Sequence, residues 1–290
     1  MPGAAASNLS TCSRRPARSW EKHFTVVQWD RRGVGKTLRR NGRAGSDQWT
    51  FGLQADDGIE VAEYLRRHLG QDQVIVLGHS QGSIVGTVMA VRRPDLFRAY
   101  VGTGQVVDLA RSEPVSYQLA VARAQASGHR KAARELARAG APPYPQPQTW
   151  ITKQRWSFDT DPELQVWSKE ALRMVLTAPG MSLADIYRFN SAIMFYPQPL
   201  YDETMSWTSP RAFGVPVHLL HGDDDQHTLT SLVEEYYQML QAPAKNLVLL
   251  PGGGHCAVLM QPVAFLAELR ACVGRVVNGA PAGTSGPGSC

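Results

Sequence analysis

The chain has 290 residues and a formal charge of +5, with apolar residues at 43% and charged residues at 19%. That balance fits one globular catalytic domain carrying an insertion, and it excludes a disordered or fibrous chain. The sequence has no run of about 18 apolar residues, so no transmembrane helix is expected.

Much of the positive charge comes from Arg14, Arg15, Arg18, Arg39, Arg40, Arg43, Arg130, Lys131 and Arg134. No basic stripe is interleaved with aromatic residues, so these read as solvated surface rather than a nucleic-acid or membrane face. The cysteines Cys12, Cys256, Cys272 and Cys290 form no CxxC pair and no metal-ligand spacing. Reduced thiols and a cytoplasmic location follow, with no metal or organic cofactor implied.

In chain order, residues 1–20 carry three arginines and no acid, lack the apolar core of a secretory signal, and are expected to be disordered. Residues 24–29 (FTVVQW) read as a short strand ending at Asp30, and an Arg/Gly loop follows. From about residue 56 to 69 apolar residues recur at three and four positions, which predicts a helix with Asp56 and Asp57 at its N-terminus. Residues 74–77 (VIVL) form a continuous apolar run, as in a strand buried on both faces. Residues 82–91 read as a helix and 99–102 as a further strand, so the rhythm is that of a parallel sheet with crossover helices.

Residues 105–213 break that rhythm. They are helical in pattern and contain Trp150, Trp156, Trp167 and Trp207, which predicts an inserted helical cap. The alternation returns with strands over 215–220 and 246–250 and helices near 229–240 and 262–277. Residues 279–290 read as a disordered Gly/Pro/Ser tail. The predicted core is therefore 21–104 together with 214–278, of α/β class.

The chemistry concentrates at Gly78-His79-Ser80-Gln81-Gly82, a G-x-S-x-G pattern set between the VIVL strand and an apolar-periodic helix. Such a turn holds a serine in a strained backbone conformation, and Gly78 and Gly82 leave room for it. The helix N-terminus then offers the Gln81 backbone N–H to a developing oxyanion. An acid and a base should follow on loops after later strands. Asp223, Asp224 and Asp225 follow the 215–220 strand, and His255 follows the 246–250 strand after three glycines. The residues alone leave the three aspartates open. His221 and His227 flank the acid loop and are expected to shape it, and His79 to point away from the hydroxyl.

GHSQGS, DRRGVGKT, HGDDDQHT and GGGHCAVLMQP together resemble the α/β-hydrolase family that includes the proline iminopeptidases, over about residues 19–277. The resemblance implies Ser80 as nucleophile, His255 as base and Asp225 as the orienting acid. It also maps the family's Asp-x-Arg-Gly-x-Gly hallmark onto Asp30, Arg32, Gly33 and Gly35. The implied reaction proceeds through an acyl-enzyme at N-terminal peptide or amide bonds, with esters or other small acyl compounds as the alternative.

Two departures stand out. Gln81 occupies a position that is usually tryptophan, and Glu163, Glu170 and Glu203, the available candidates for holding a substrate amine, sit in no matched motif. The family's HGG segment, which gives the second oxyanion donor, has no counterpart before residue 24. Three early strands are expected to be missing, one of them central to the sheet, which leaves open a truncated, weakly active or inactive remnant.

Overall fold

The computed structural model describes residues 4–7, 19–176 and 195–277. Its strands are β1 (Ala4–Ser7), β2 (Thr25–Gln28), β3 (Val74–His79), β4 (Phe97–Thr103), β5 (Val217–Gly222) and β6 (Lys245–Leu250). They form one parallel sheet in the order β2-β1-β3-β4-β5-β6.

The expectation of an empty central position is corrected. β1 lies between β2 and β3, pairing Ala4–Ser7 with Thr25–Gln28 on one side and Ala5 and Ala6 with Ile75 and Val76 on the other. The physical reason is backbone satisfaction: the facing edges of β2 and β3 hold rows of N–H and C=O groups, and an extended segment pairs with both. Ala4–Ser7 are thus ordered where residues 1–20 were expected to be disordered. Residues 8–18 and 278–290 lie outside the described residues, and so do Cys12 and Cys290.

The helices are α1 (Gly35–Asn41), α2 (Phe51–Leu69), α3 (Gln81–Arg92), α4 (Leu109–Ala126), α5 (Arg130–Ala139), α6 (Pro147–Asp159), α7 (Pro162–Leu176), α8 (Gln198–Met205), α9 (Thr230–Met239), α10 (Ala257–Met260) and α11 (Pro262–Val277). α2 begins five residues before the predicted start, because Thr50 Oγ1 caps it by accepting from Leu53 N at 3.0 Å. Asp56 and Asp57 therefore lie inside the helix, where they pair with Arg92 and Arg32.

β3 shows how the sheet is buried. Val74 and Val76 face the cluster that holds Phe51, Ile84, Met89 and Tyr236, while Ile75 and Leu77 face the cluster that holds Phe24, Phe265 and Leu269. Two apolar faces explain the unbroken VIVL run. Helices α4–α8 fall between β4 and β5, over the stretch predicted as a cap; residues 177–194 of that stretch are outside the described residues. Trp156 packs with Ala120, Ala124 and Leu136, and Trp150 with Tyr144 and Tyr201. Trp207 instead meets Phe51, and Trp167 packs against the cluster of Phe265. Among the described residues no helix is long and apolar enough to cross a membrane.

Candidate active site

β3 ends at His79, α3 starts at Gln81, and Ser80 between them has φ 53° and ψ −126°. Among the described residues it is the one non-glycine with a positive φ. Such strain persists only where the surroundings impose it. The turn is tight enough that a Cβ on Gly78 would lie 2.5 Å from the Gly82 carbonyl oxygen and 2.7 Å from Ser83 Cα. Ser80 N donates to Thr103 O at 3.1 Å, and Ser83 N donates back to Ser80 O at 2.8 Å.

The loops after β5 and β6 approach so closely that a side chain on Gly222 would collide with the Gly253 and Gly254 carbonyls. That contact brings Asp225 and His255 together beside the elbow. Ser80 Oγ and His255 Nε2 are 2.9 Å apart, and His255 Nδ1 lies 3.0 Å from Asp225 Oδ2 and 3.3 Å from Oδ1. Asp225 and His255 are both buried. Asp225 also accepts from His227 N and Thr228 N at 2.8 Å each, and from Thr228 Oγ1 at 2.5 Å. A buried carboxylate keeps its charge under such donation. Asp223 and Asp224 are exposed, and their backbone N–H groups donate to Leu250 O and Gly253 O.

Burial alone would push Asp225 up, but the charge of His255 and the bond to it, with His221 and Thr228, hold it well below the usual carboxylate range. Burial also works against a charged His255, yet the Asp225 carboxylate and its hydrogen bond win, helped by Glu163 and Asp161, and raise the imidazole. A carboxylate on Nδ1 fixes the proton there and leaves the Nε2 lone pair free to take the Ser80 proton.

The other histidines have structural partners. His79 Nε2 donates to the His255 carbonyl at 2.8 Å, and burial, then the charge of His255, lowers its pKa to about 4. His221 Nε2 donates to Thr228 O at 2.9 Å within the acid loop. His227 faces Asp161 at 3.4 Å, and burial lowers its pKa against that partner's pull.

Gln81 opens α3, so its N–H stands at a free helix N-terminus beside Ser80. The loop after β1, where a second oxyanion donor would come from, lies outside the described residues. In the Asp30–Gly35 segment, Arg32 Nε and Nη2 form a fork onto Asp57 at 2.5 and 2.6 Å, and Asp30 Oδ2 accepts from Lys36 N at 2.8 Å. Gly33 and Gly35, with φ of 72° and 52°, turn the chain between them. Asp30, Arg32, Gly33 and Gly35 thus form a folded support, and among the described residues the hydrogen bonds of Asp30 and Arg32 run to Lys36, Thr37 and Asp57 rather than to the triad.

Of the glutamates weighed as amine holders, Glu163 accepts from Gly254 N and Cys256 N, and Glu203 accepts from Phe51 N. The side chain of Glu170 lies outside the described residues. Sequence reasoning did not find Thr228 as a donor to Asp225 or Glu163 as a support for the His255 loop. Neither carries a local pattern, since each contact is made by tertiary folding.

A sequence profile described as "Alpha/beta hydrolase family" matches residues 2–269. The chain belongs to the alpha/beta hydrolase family. This α/β hydrolase is 29% identical over 262 residues to a Bacillus subtilis protein named "Probable aminopeptidase YbaC", covering 87% of this chain and 80% of that one. It is 23% identical over 241 residues to a Haemophilus influenzae protein named "Putative esterase/lipase", covering 82% and 70% respectively. Among solved structures it resembles a thermophilic esterase from Thermogutta terrifontis, with TM-score 0.57 at 17% identity over 95% of this chain and 90% of that one. At that identity the likeness is one of fold.

Proposed function

We propose that this α/β hydrolase cleaves small acyl compounds through an acyl-enzyme, with Ser80 as nucleophile, His255 as base and Asp225 as the acid that orients it. The carrying observation is the unbroken chain Ser80 Oγ–His255 Nε2 and His255 Nδ1–Asp225 Oδ2, at 2.9 and 3.0 Å, set on a strained elbow. His255 takes the serine proton as Ser80 Oγ attacks the carbonyl carbon. The Gln81 N–H donates to the oxyanion, and the imidazolium returns the proton to the leaving group. Water, deprotonated by the same imidazole, then releases the acid and regenerates Ser80.

For the finer substrate, N-terminal amide bonds of short peptides are supported by the similarity to the B. subtilis aminopeptidase-named protein. Esters are the second reading, favoured by the engagement of Glu163 and Glu203 with backbone N–H groups, which removes both from the task of holding a substrate amine. Cys256 and Cys272, both buried and neither in a disulfide, accord with a cytoplasmic protein.

The test is labelling by a fluorophosphonate probe, mapped to its residue, followed by turnover of aminoacyl arylamides against short p-nitrophenyl esters. Labelling at Ser80 that is lost in Ser80→Ala upholds the mechanism. Hydrolysis by a protein that takes no label at Ser80 would overturn it.

A further inference from the structure

Adjacent arginines meet opposite fates at the loop after β2. Arg32 is neutralised by the fork onto Asp57, with Glu60 adding to the same field. Arg31 has no carboxylate within ion-pair distance among the described residues. Its one side-chain bond there runs from Nη2 to Gln81 Oε1 at 3.0 Å. Gln81 is the residue directly after Ser80, so this guanidinium is tied to the nucleophile turn.

Arg31 also forms part of the wall of a cavity of about 510 Å³, together with Trp29, Trp49, Tyr64 and Arg32. No triad residue lines that cavity, so the reacting bond itself lies elsewhere, and Arg31 touches both the cavity and the elbow residue Gln81. Of the three acids on that wall, Asp57 is committed to Arg32, Glu60 adds to the field around Arg32, and Asp30 accepts from Lys36 N. Burial pushes the Arg31 guanidinium down from its usual value, opposed by Tyr196. An arginine nevertheless stays charged. Among the described residues most of the five N–H donors of Arg31 have no protein acceptor, which leaves them available to an anion.

Resting on the serine-hydrolase reading above, we propose that Arg31 is a specificity-determining residue that binds a carboxylate of the substrate. The carboxylate reaches it from Ser80 past Gln81 and receives a planar fork of N–H donors. Two halves of a substrate can bring that group: a carboxylated acyl chain, or a leaving group with a free carboxylate, as in a dipeptide.

The experiment compares matched pairs. For the acyl half the pair is mono-p-nitrophenyl glutarate and p-nitrophenyl valerate. For the leaving half it is a dipeptide and the same dipeptide amide. The wild type is expected to favour the carboxylated member of at least one pair by about tenfold or more in kcat/KM, the value of one charge-assisted hydrogen bond. Arg31→Gln should collapse that ratio toward one, and Arg31→Lys should keep part of it. Added salt should shrink the wild-type ratio. A second readout needs no turnover: glutarate should raise the melting temperature of the wild type and not that of Arg31→Gln. Equal rates on both members of both pairs, with Ser80 still labelled by the fluorophosphonate, would overturn the Arg31 assignment and leave the mechanism standing. Loss of labelling would strike the mechanism instead, and the glutarate shift would then decide Arg31 alone.

Discussion

Glu163 holds His255 by the backbone on both sides. Its carboxylate accepts from Gly254 N at 3.2 Å and from Cys256 N at 3.3 Å, the peptide groups that flank the histidine. Two residues earlier, Asp161 faces His227 on the acid loop and pairs with Arg123 at 2.8 Å. The start of α7 thus grips both loops that carry the acid–base pair.

Replacing Glu163 by alanine should therefore lower stability by about 1–2 kcal/mol, since the carboxylate is half-exposed and water screens its bonds. It should also move the acid limb of the pH–rate profile downward, because Glu163 is among the groups that raise His255. Thermal melting and kcat/KM between pH 5 and 8 check the two effects separately. A lower melting temperature with an unmoved limb would reduce Glu163 to packing.

The pH dependence of the parent enzyme follows from the same shifts. In the proposed mechanism His255 must be neutral to accept the serine proton, so activity should fall as pH drops through its folded-state value. That value is raised above 6.5, so the acid-limb midpoint should lie above it. His79, lowered to about 4, stays neutral through this range and does not set the limb. The stability linkage runs the opposite way for the two partners. The contribution of His255 is present below its unfolded value and is lost as pH rises through the raised folded one. That of Asp225 is present above the usual carboxylate value and is lost as pH falls through its depressed one. An acid limb centred below pH 6 would contradict this arrangement.

The elbow was legible in the sequence because its physics is local: VIVL, two glycines around Ser80 and an apolar-periodic helix lie within about twenty residues. The acid and base loops were legible from their order after strands. β1 was not, because Ala4–Ser7 has none of the β-branched or aromatic residues that mark a strand; its conformation is set by the edges of β2 and β3. The Arg31–Gln81 bond spans 50 positions and the Glu163–Cys256 bond spans 93, so no window of sequence displays either.

Ser80→Ala should abolish hydrolysis, by up to about 10⁶-fold on the scale of well-studied triads. The residue already sits at φ 53°, and alanine meets the same strain as serine, so the fold should survive. Residual turnover within tenfold of the parent, with matched melting curves, would remove Ser80 from the mechanism.

Among the three aspartates only the third is buried and bonded to His255. Asn at 225 should cost about 10⁴-fold in kcat, the loss seen when the imidazole tautomer is mis-set. Asn at 223 or 224 should change it little, since both side chains are exposed and their contacts to the next loop run through backbone N–H groups. Comparable losses at all three would mean that the loop, rather than the carboxylate of Asp225, is what His255 needs.

The sheet gives the last test. β1 is paired on both sides, with Ala6 opposite Val27 of β2 and Val76 of β3, one strand away from the elbow. In such a strand each interior N–H serves one neighbour or the other, and proline can serve neither. Ala6→Pro should therefore leave an acceptor unpaired, splay β2 from β3 and cost about 3 kcal/mol or more, a large part of the roughly 5–15 kcal/mol that holds a domain together. Because β3 carries Ser80 at its end, fluorophosphonate labelling should slow along with the loss of stability. Urea unfolding of Ala6→Pro beside Ala6→Val separates the causes, since valine keeps the N–H and suits a strand. If the proline variant unfolds at the same urea concentration as the parent and labels as fast, Ala4–Ser7 is not what joins β2 to β3.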